Sequence, residues 1–123
     1  MAEAEELAGA LMASIEGKGD DEFVAVLAPG AIVWHNHDRK EVDAVENMAT
    51  VGMLAQMVDG LTSETLYLAP TADGFVFQFV VRGTVKSNGK PFEMHNCIVA
   101  STSDGKVTRL DEYVDPTIGA QFS

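Results

Sequence analysis

Hydrophobic residues near the start of the chain recur at helical spacing. Leu7, Leu11 and Ile15 occupy every fourth position of a segment rich in Ala and Glu, which predicts an amphipathic first helix. A second, shorter helix is expected after Gly19, and Pro29-Gly30 should end it. Two helices therefore precede the first strand.

The remaining pattern is mainly that of strands. Ala31 to Asn36 is short, β-branched and aromatic, as is typical of a strand, and Asp43 to Val58 has the periodicity of a third helix. An Asp-Gly or Asn-Gly dipeptide, a strong hairpin signal, lies at each junction between the last four predicted strands. These strands are Leu61 to Ala69, Phe75 to Lys86, Pro91 to Thr102 and Val107 to Asp115. The order ααβαββββ predicts an α+β fold, with three helices covering one face of a curved mixed or antiparallel sheet.

Alternation along the strands divides each of them into two rows of side chains. The more apolar row of each strand should face the helices. In the last strand this row contains Glu112, and in the first strand it is the row led by Trp34. The predicted inner face comprises Trp34, Asn36, Phe77, Phe79, Val81, Met94, Asn96, Ile98, Leu110, Glu112 and Val114. An apolar lining with a few polar groups is typical of a small-molecule pocket.

Charge and composition exclude several classes of partner. The chain has 123 residues, with 19 acidic and 8 basic side chains and a net charge of −11 at pH 7. Because the basic residues form no cluster, nucleic acid is not an expected partner. The first residues are acidic where a secretory signal would be basic, and no apolar run approaches about 20 residues, so we expect neither a secretory signal nor a membrane span. The single Cys97 fits a reducing compartment, so we expect a cytoplasmic protein without membrane association.

Several motifs together resemble the nuclear transport factor 2-like superfamily, which includes SnoaL-like polyketide cyclases, ketosteroid isomerases and limonene epoxide hydrolases. They are Val33-Trp34-His35-Asn36, the third helix, the four long strands and the closing Asp111-Glu112-Tyr113-Val114-Asp115-Pro116. The resemblance covers nearly the whole chain and implies one SnoaL-like domain over residues 1–123. It implies a cone-shaped sheet whose concave face the helices cover, and a homodimer formed through the outer sheet face. This scaffold carries both enzymes and non-enzymes.

The resemblance can be followed to individual positions. In the epoxide hydrolases, Trp34 corresponds to a Tyr and Asn36 to an Asn that together hold the attacking water, and Glu112 corresponds to an acid/base Asp. The Arg-x-Asp of those enzymes corresponds here to Phe79-Val80-Val81, so the set is incomplete. The first-helix Tyr and the fourth-strand Asp of the ketosteroid isomerases have no counterpart either.

Glu112 is the main candidate for chemistry. A carboxyl group in an apolar lining should have a raised pKa and could exchange protons near neutral pH, and we expect it to be the only ionisable group facing the pocket centre. Alternatively, it is paired for structural reasons. Asn36 and Asn96 could orient a water or a carbonyl group, or could satisfy backbone groups.

Three histidines offer weaker candidates. His35 and His37 have a spacing that can bind a metal, but no third ligand is near in sequence and an exposed strand end explains them better. His95 and Asp111 share the outer rows, where a polar dimer interface is the better explanation than catalysis.

Two functions follow from these residues. The first is a cofactor-independent isomerase, cyclase or hydrolase acting on a small apolar molecule, with Glu112 as acid/base and Asn36 orienting a polar group. The second is a non-catalytic module that uses the same pocket to bind a hydrophobic ligand or mediates association.

Overall fold

The structure is a computed structural model that describes residues 2–123. The helices are α1 (Ala2–Ile15), α2 (Asp20–Val26), α3 (Ala44–Met57) and a closing 3-10 helix (Pro116–Phe122). The strands are β1 (Leu27–His35), β2 (Glu41–Asp43), β3 (Val58–Pro70), β4 (Gly74–Val85), β5 (Pro91–Ser103) and β6 (Lys106–Val114). The predicted α+β fold is confirmed, with short β2 and the 3-10 helix as additions that the sequence pattern did not indicate.

The six strands form one unclosed mixed sheet in the order β2-β1-β6-β5-β4-β3. Only the contact between β1 and β6 is parallel, and all other neighbouring strands are antiparallel. Two register shifts in β3, between Asp59 and Thr62 and between Thr65 and Tyr67, are of the kind that bends a strand and increases its twist. The parallel contact places the first long strand beside the last one.

The hairpin between β5 and β6 shows why the dipeptide signals were reliable. Asp104 and Gly105 both have positive φ, at 53° and 76°, as a two-residue turn of type I′ requires. Asp tolerates this conformation better than most residues, and Gly adopts it without steric cost. The turn pairs Ser103 with Lys106, and a register shift between Ser101 and Thr102 then places Ile98 opposite Glu112.

One element boundary and the buried side of α3 differ from what the hydrophobic pattern suggests. Helix α2 ends at Val26, and Pro29-Gly30 lies within β1 instead of ending the helix. The β1 register shifts between Leu27 and Ile32, and such an irregularity accommodates a residue without an N–H. In α3, the apolar Val45 is 52% exposed, whereas the polar Asn47 is buried.

The core lies between the helices and the inner sheet face. Phe75, Phe77, Phe79 and Val81 of β4 are buried, and the rings of Phe77 and Phe79 stack with their centroids 4.6 Å apart. Leu11 of α1 belongs to the same cluster. In β5 and β6, Ile98 and Leu110 of the predicted inner rows are buried too, but so is Val107, which strict alternation places in the outer row. Among residues 2–123, the helices are all too short or too polar to cross a bilayer.

Candidate functional site

A cavity of about 340 Å³ lies between the helices and the concave face of the sheet. Its walls come from α1, α2, α3, β1, β4, β5, β6 and the closing 3-10 helix, and most of the lining side chains are apolar. Seven residues of the predicted inner face line it: Phe79, Met94, Asn96, Ile98, Leu110, Glu112 and Val114. Two others, Phe77 and Val81, are fully buried in the core and do not line the cavity.

The first strand faces the opposite way from the prediction. Val33, His35 and His37 line the cavity, because β1 pairs in parallel with β6 so that Val33 lies opposite Leu110 and His35 opposite Glu112. Paired residues of neighbouring strands point to the same face of a sheet. The inward placement predicted for Trp34 is therefore wrong, and its ring packs against Tyr113 on the outer face, with centroids 5.4 Å apart.

Asn36 was also placed wrongly, and its side chain connects two strands instead of entering the cavity. Its Oδ1 accepts a hydrogen bond from the Val114 N–H at 3.0 Å, and its Nδ2 donates to the Val114 carbonyl at 3.2 Å. The amide thus continues the ladder between β1 and β6 beyond His35. We call this pair of bonds the Asn36 clamp.

Two ionisable side chains meet at the sheet wall of the cavity. His35 Nε2 lies 3.3 Å from Glu112 Oε1, and both side chains are 17% exposed. The hydrogen bond to Glu112 and the carboxylate charge raise the pKa of His35, and burial partly opposes them. The expectation that Glu112 is the only ionisable group facing the cavity is therefore wrong, since His35 accompanies it and His37 and Asp115 also line the cavity.

His37 lies on the same side as His35, further towards solvent. The two imidazole rings are 5.3 Å apart between centroids, and His37 Nε2 lies 3.8 Å from Asp38 Oδ2. The pKa of Asp38 is lowered, first by the hydrogen bond from the Lys40 N–H and then by the nearby histidines. Within residues 2–123, no three His, Cys, Asp or Glu side chains form a group that could hold a metal ion.

The helices contribute polar groups that the sequence analysis missed. Asn47 of α3 is 8% exposed and lines the cavity. Ser14 of α1 is also buried there, and its hydroxyl donates to Asp20 Oδ1 at 3.1 Å. Asn47 lies on the helical face of Val51 and Leu54, at the i+4 and i+7 positions, so a strict helical period would have identified it.

The cavity has little fixed positive charge. No Lys or Arg side chain belongs to its lining within the described part of the chain, so His35 and His37 are the cationic candidates there. The net charge of −11 adds an unfavourable potential for anions. The site therefore suits an uncharged ligand better than a carboxylate or phosphate.

The outer sheet face combines exposed apolar residues with ion pairs. Trp34, Tyr67, Val99 and Tyr113 lie on this face, the last three of them exposed. His95 Nε2 is 2.6 Å from Glu93 Oε1, and Arg109 Nε is 2.8 Å from Asp111 Oδ1. His95 and Asp111 thus have separate partners, so the structure does not pair them.

Comparison with known proteins establishes the fold. A candidate SnoaL-like polyketide cyclase from Jannaschia sp. CCS1 superposes with a TM-score of 0.82 at 15% identity, over 98% of this chain and 90% of the other. IdmH from Streptomyces antibioticus, a candidate polyketide cyclase, superposes with a TM-score of 0.78 at 22% identity, over 98% of both chains. An NTF2-like protein from Burkholderia thailandensis E264 superposes with a TM-score of 0.75 at 19% identity, over 98% of this chain and 95% of the other.

The sequence itself matches no protein-family model and no curated protein. The chain thus has the nuclear transport factor 2-like fold, as its sequence motifs indicated.

Proposed function

We propose that the protein catalyses a proton transfer on an uncharged, mainly apolar small molecule without a cofactor, in an isomerisation, cyclisation or hydrolysis. The observation that carries this proposal is the His35–Glu112 pair, with its two side chains 3.3 Å apart in the wall of an apolar cavity. Paired titratable groups in a cleft are typical of acid/base sites.

The pair offers a base and a hydrogen-bond donor side by side. The hydrogen bond to Glu112 raises the pKa of His35, which favours the protonated form of His35 relative to a free imidazole. Glu112 would take a proton from a C–H bond adjacent to a carbonyl, and the electron pair of that bond would form an enolate. The imidazolium N–H would stabilise the enolate oxygen.

The fate of the enolate decides the reaction. Return of the proton to a different carbon gives an isomer. Alternatively, attack of the enolate carbon on a second carbonyl closes a ring, and the resulting alkoxide oxygen takes the proton back from Glu112. Neither outcome needs an oxidant or a metal ion. The candidate polyketide cyclases among the similar structures support cyclisation as the first class to examine.

A ligand-binding module without catalysis is the second candidate. It is favoured by the apolar Phe79-Val80-Val81 segment, which stands where the epoxide hydrolases have a charged Arg-x-Asp. In this case the cavity would hold a ligand, and the His35–Glu112 pair would only stabilise the sheet.

We further propose a cytoplasmic homodimer that forms through the outer sheet face. The exposed apolar side chains of Tyr67, Val99 and Tyr113 support it, because they would leave water on association. Multi-angle light scattering at micromolar concentration should give twice the mass of the chain, and a monomer would contradict the proposal.

Nitrobenzisoxazole tests the catalytic proposal without knowledge of the natural substrate. This small, neutral, aromatic molecule loses a C–H proton to any suitably placed base, its N–O bond breaks, and a coloured phenolate forms. The wild-type protein should accelerate this elimination, and Glu112→Gln should reduce the rate by about 100-fold or more, as is usual on loss of a general base.

The matched control is Glu93→Gln. Glu93 also contacts a histidine, His95, but on the outer face, so this variant should keep the wild-type rate. Equal rates for Glu112→Gln and the wild type would contradict the catalytic role. A protein that binds the probe without accelerating its reaction would favour the binding module.

A further inference from the structure

Asn47 is a polar residue in an apolar position on α3. It is buried to more than nine-tenths and lines the cavity. Its side-chain amide makes no hydrogen bond with the other described residues. Among the described residues, only the Ser63 hydroxyl oxygen is fully enclosed without a partner, so the amide atoms of Asn47 remain accessible from the cavity.

Two other polar side chains of the cavity, Ser14 and Asn96, do have partners. The Ser14 hydroxyl donates to Asp20, and the Asn96 amide donates to the Met94 carbonyl at 3.3 Å. Asn47 therefore differs from them, because both its donor and its acceptor are free to meet a ligand. It lies on the helix wall, whereas His35 and Glu112 lie on the sheet wall.

We propose that Asn47 binds a polar group of the ligand from the helix wall of the cavity, and that this group is a carbonyl or an equivalent neutral acceptor. The inference rests on the proposed function for the location of the ligand, but it concerns binding and not proton transfer. An amide N–H is a neutral donor, and the lining offers no Lys or Arg within residues 2–123. The complementary ligand is thus an apolar molecule with one uncharged oxygen function for Asn47 and another for the His35–Glu112 pair.

Prodan is a suitable probe for this contact. It is a neutral naphthalene ketone whose fluorescence shifts to longer wavelength when its carbonyl accepts a hydrogen bond. Its analogue with a methylene group in place of the carbonyl supplies the matched ligand. Both can be titrated into the full chain, and the emission maximum of prodan reports the carbonyl contact directly.

Asn47→Leu should weaken prodan binding by about fivefold to tenfold, as expected for one buried hydrogen bond, and should shift its emission to shorter wavelength. Binding of the methylene analogue should be unchanged or tighter. Met48→Leu is the control, because Met48 also lines the cavity but has no hydrogen-bonding amide. It should change the affinities for both ligands by the same factor.

Thermal stability separates a ligand-binding role from a structural one. Asn47→Leu should melt at the same temperature as the wild type or higher, because an unpartnered buried amide is replaced by an apolar side chain of similar size. Asn47→Met provides a second apolar replacement if the first one folds poorly.

Three results would overturn the inference: equal prodan affinity in the wild type and Asn47→Leu, failure of prodan to bind the wild type, or lower melting temperatures for both Asn47 variants. None of these bears on the effect of Glu112→Gln on nitrobenzisoxazole, so failure of this inference is distinct from failure of the catalytic proposal.

Discussion

Replacement of Asn36 by Leu tests the register of β1, on which the whole candidate site depends. The Asn36 clamp joins the end of β1 to Val114 of β6 through two hydrogen bonds. Leu has a similar size but can neither donate nor accept. The substitution therefore removes both bonds and leaves the Val114 N–H and carbonyl without these partners.

The expected loss follows from these two bonds. A net contribution of about 1 kcal/mol for each bond, with an added cost for the partly buried Val114 groups, gives a loss of about 2–3 kcal/mol in the free energy of unfolding. The entropy of unfolding of a chain of this length is about 0.26 kcal/mol/K. The melting temperature should therefore fall by about 8–12 °C.

Urea denaturation followed by circular dichroism measures the effect. Asn96→Leu is the matched control, because its amide makes only a local bond of 3.3 Å to the Met94 carbonyl, and its loss should cost about 0.5–1 kcal/mol. Suppose instead that the free energy of unfolding of Asn36→Leu lies within about 0.5 kcal/mol of the wild-type value, and that the substitution abolishes nitrobenzisoxazole turnover. Asn36 would then act inside the cavity, and the β1 register described above would be incorrect.

Three further predictions concern stability. The hydrogen bond to Glu112 raises the pKa of His35 in the folded state, so this pairing stabilises the fold fully below the unfolded pKa of about 6.5 and loses its effect as pH rises through the folded pKa. The stability difference between wild type and His35→Gln, measured by urea titration, should therefore shrink as pH rises from below the unfolded pKa to alkaline values. A constant difference would contradict the pairing. The Ser63 hydroxyl oxygen is buried with no hydrogen-bond partner among the described residues. Ser63→Ala should therefore raise the free energy of unfolding by about 0.5–1 kcal/mol. A lower urea midpoint for this variant would mean that the hydroxyl does make a stabilising hydrogen bond. A Cβ at Gly74 would lie 2.0 Å from the Ala100 carbonyl oxygen, so Gly74→Ala should cost about 3 kcal/mol or more, and an unchanged melting curve would contradict this close approach.

The inner rows of β4, β5 and β6 could be predicted because local signals agree along them. Each of these strands alternates clearly, and Asp-Gly or Asn-Gly dipeptides set the turns between them. Phe79, Ile98 and Glu112 were accordingly placed on the correct face. A slip of one residue would have exposed the whole apolar row.

The face of β1 could not be predicted from local pattern. Hydrophobicity favoured the row with Trp34 over the row with His35, yet the parallel contact with β6 decides the matter. That contact is remote in sequence and leaves no trace in the segment itself. Asn47 was missed for a related reason, since polarity suggested an exposed position although its spacing to Val51 and Leu54 indicated the buried face.

The parallel contact between β1 and β6 also determines when the candidate site comes into existence. The groups joined by the Asn36 clamp are 78 residues apart in sequence, and closing a loop of that length must precede any gain from the contact. During synthesis, His35 has no partner until β6 has left the ribosome. Helices α1 to α3 and the β3–β4–β5 hairpins can form earlier from local contacts. The proposed acid/base pair therefore forms in a single late step of folding, and an incomplete chain that lacks β6 should be inactive towards nitrobenzisoxazole, not weakly active.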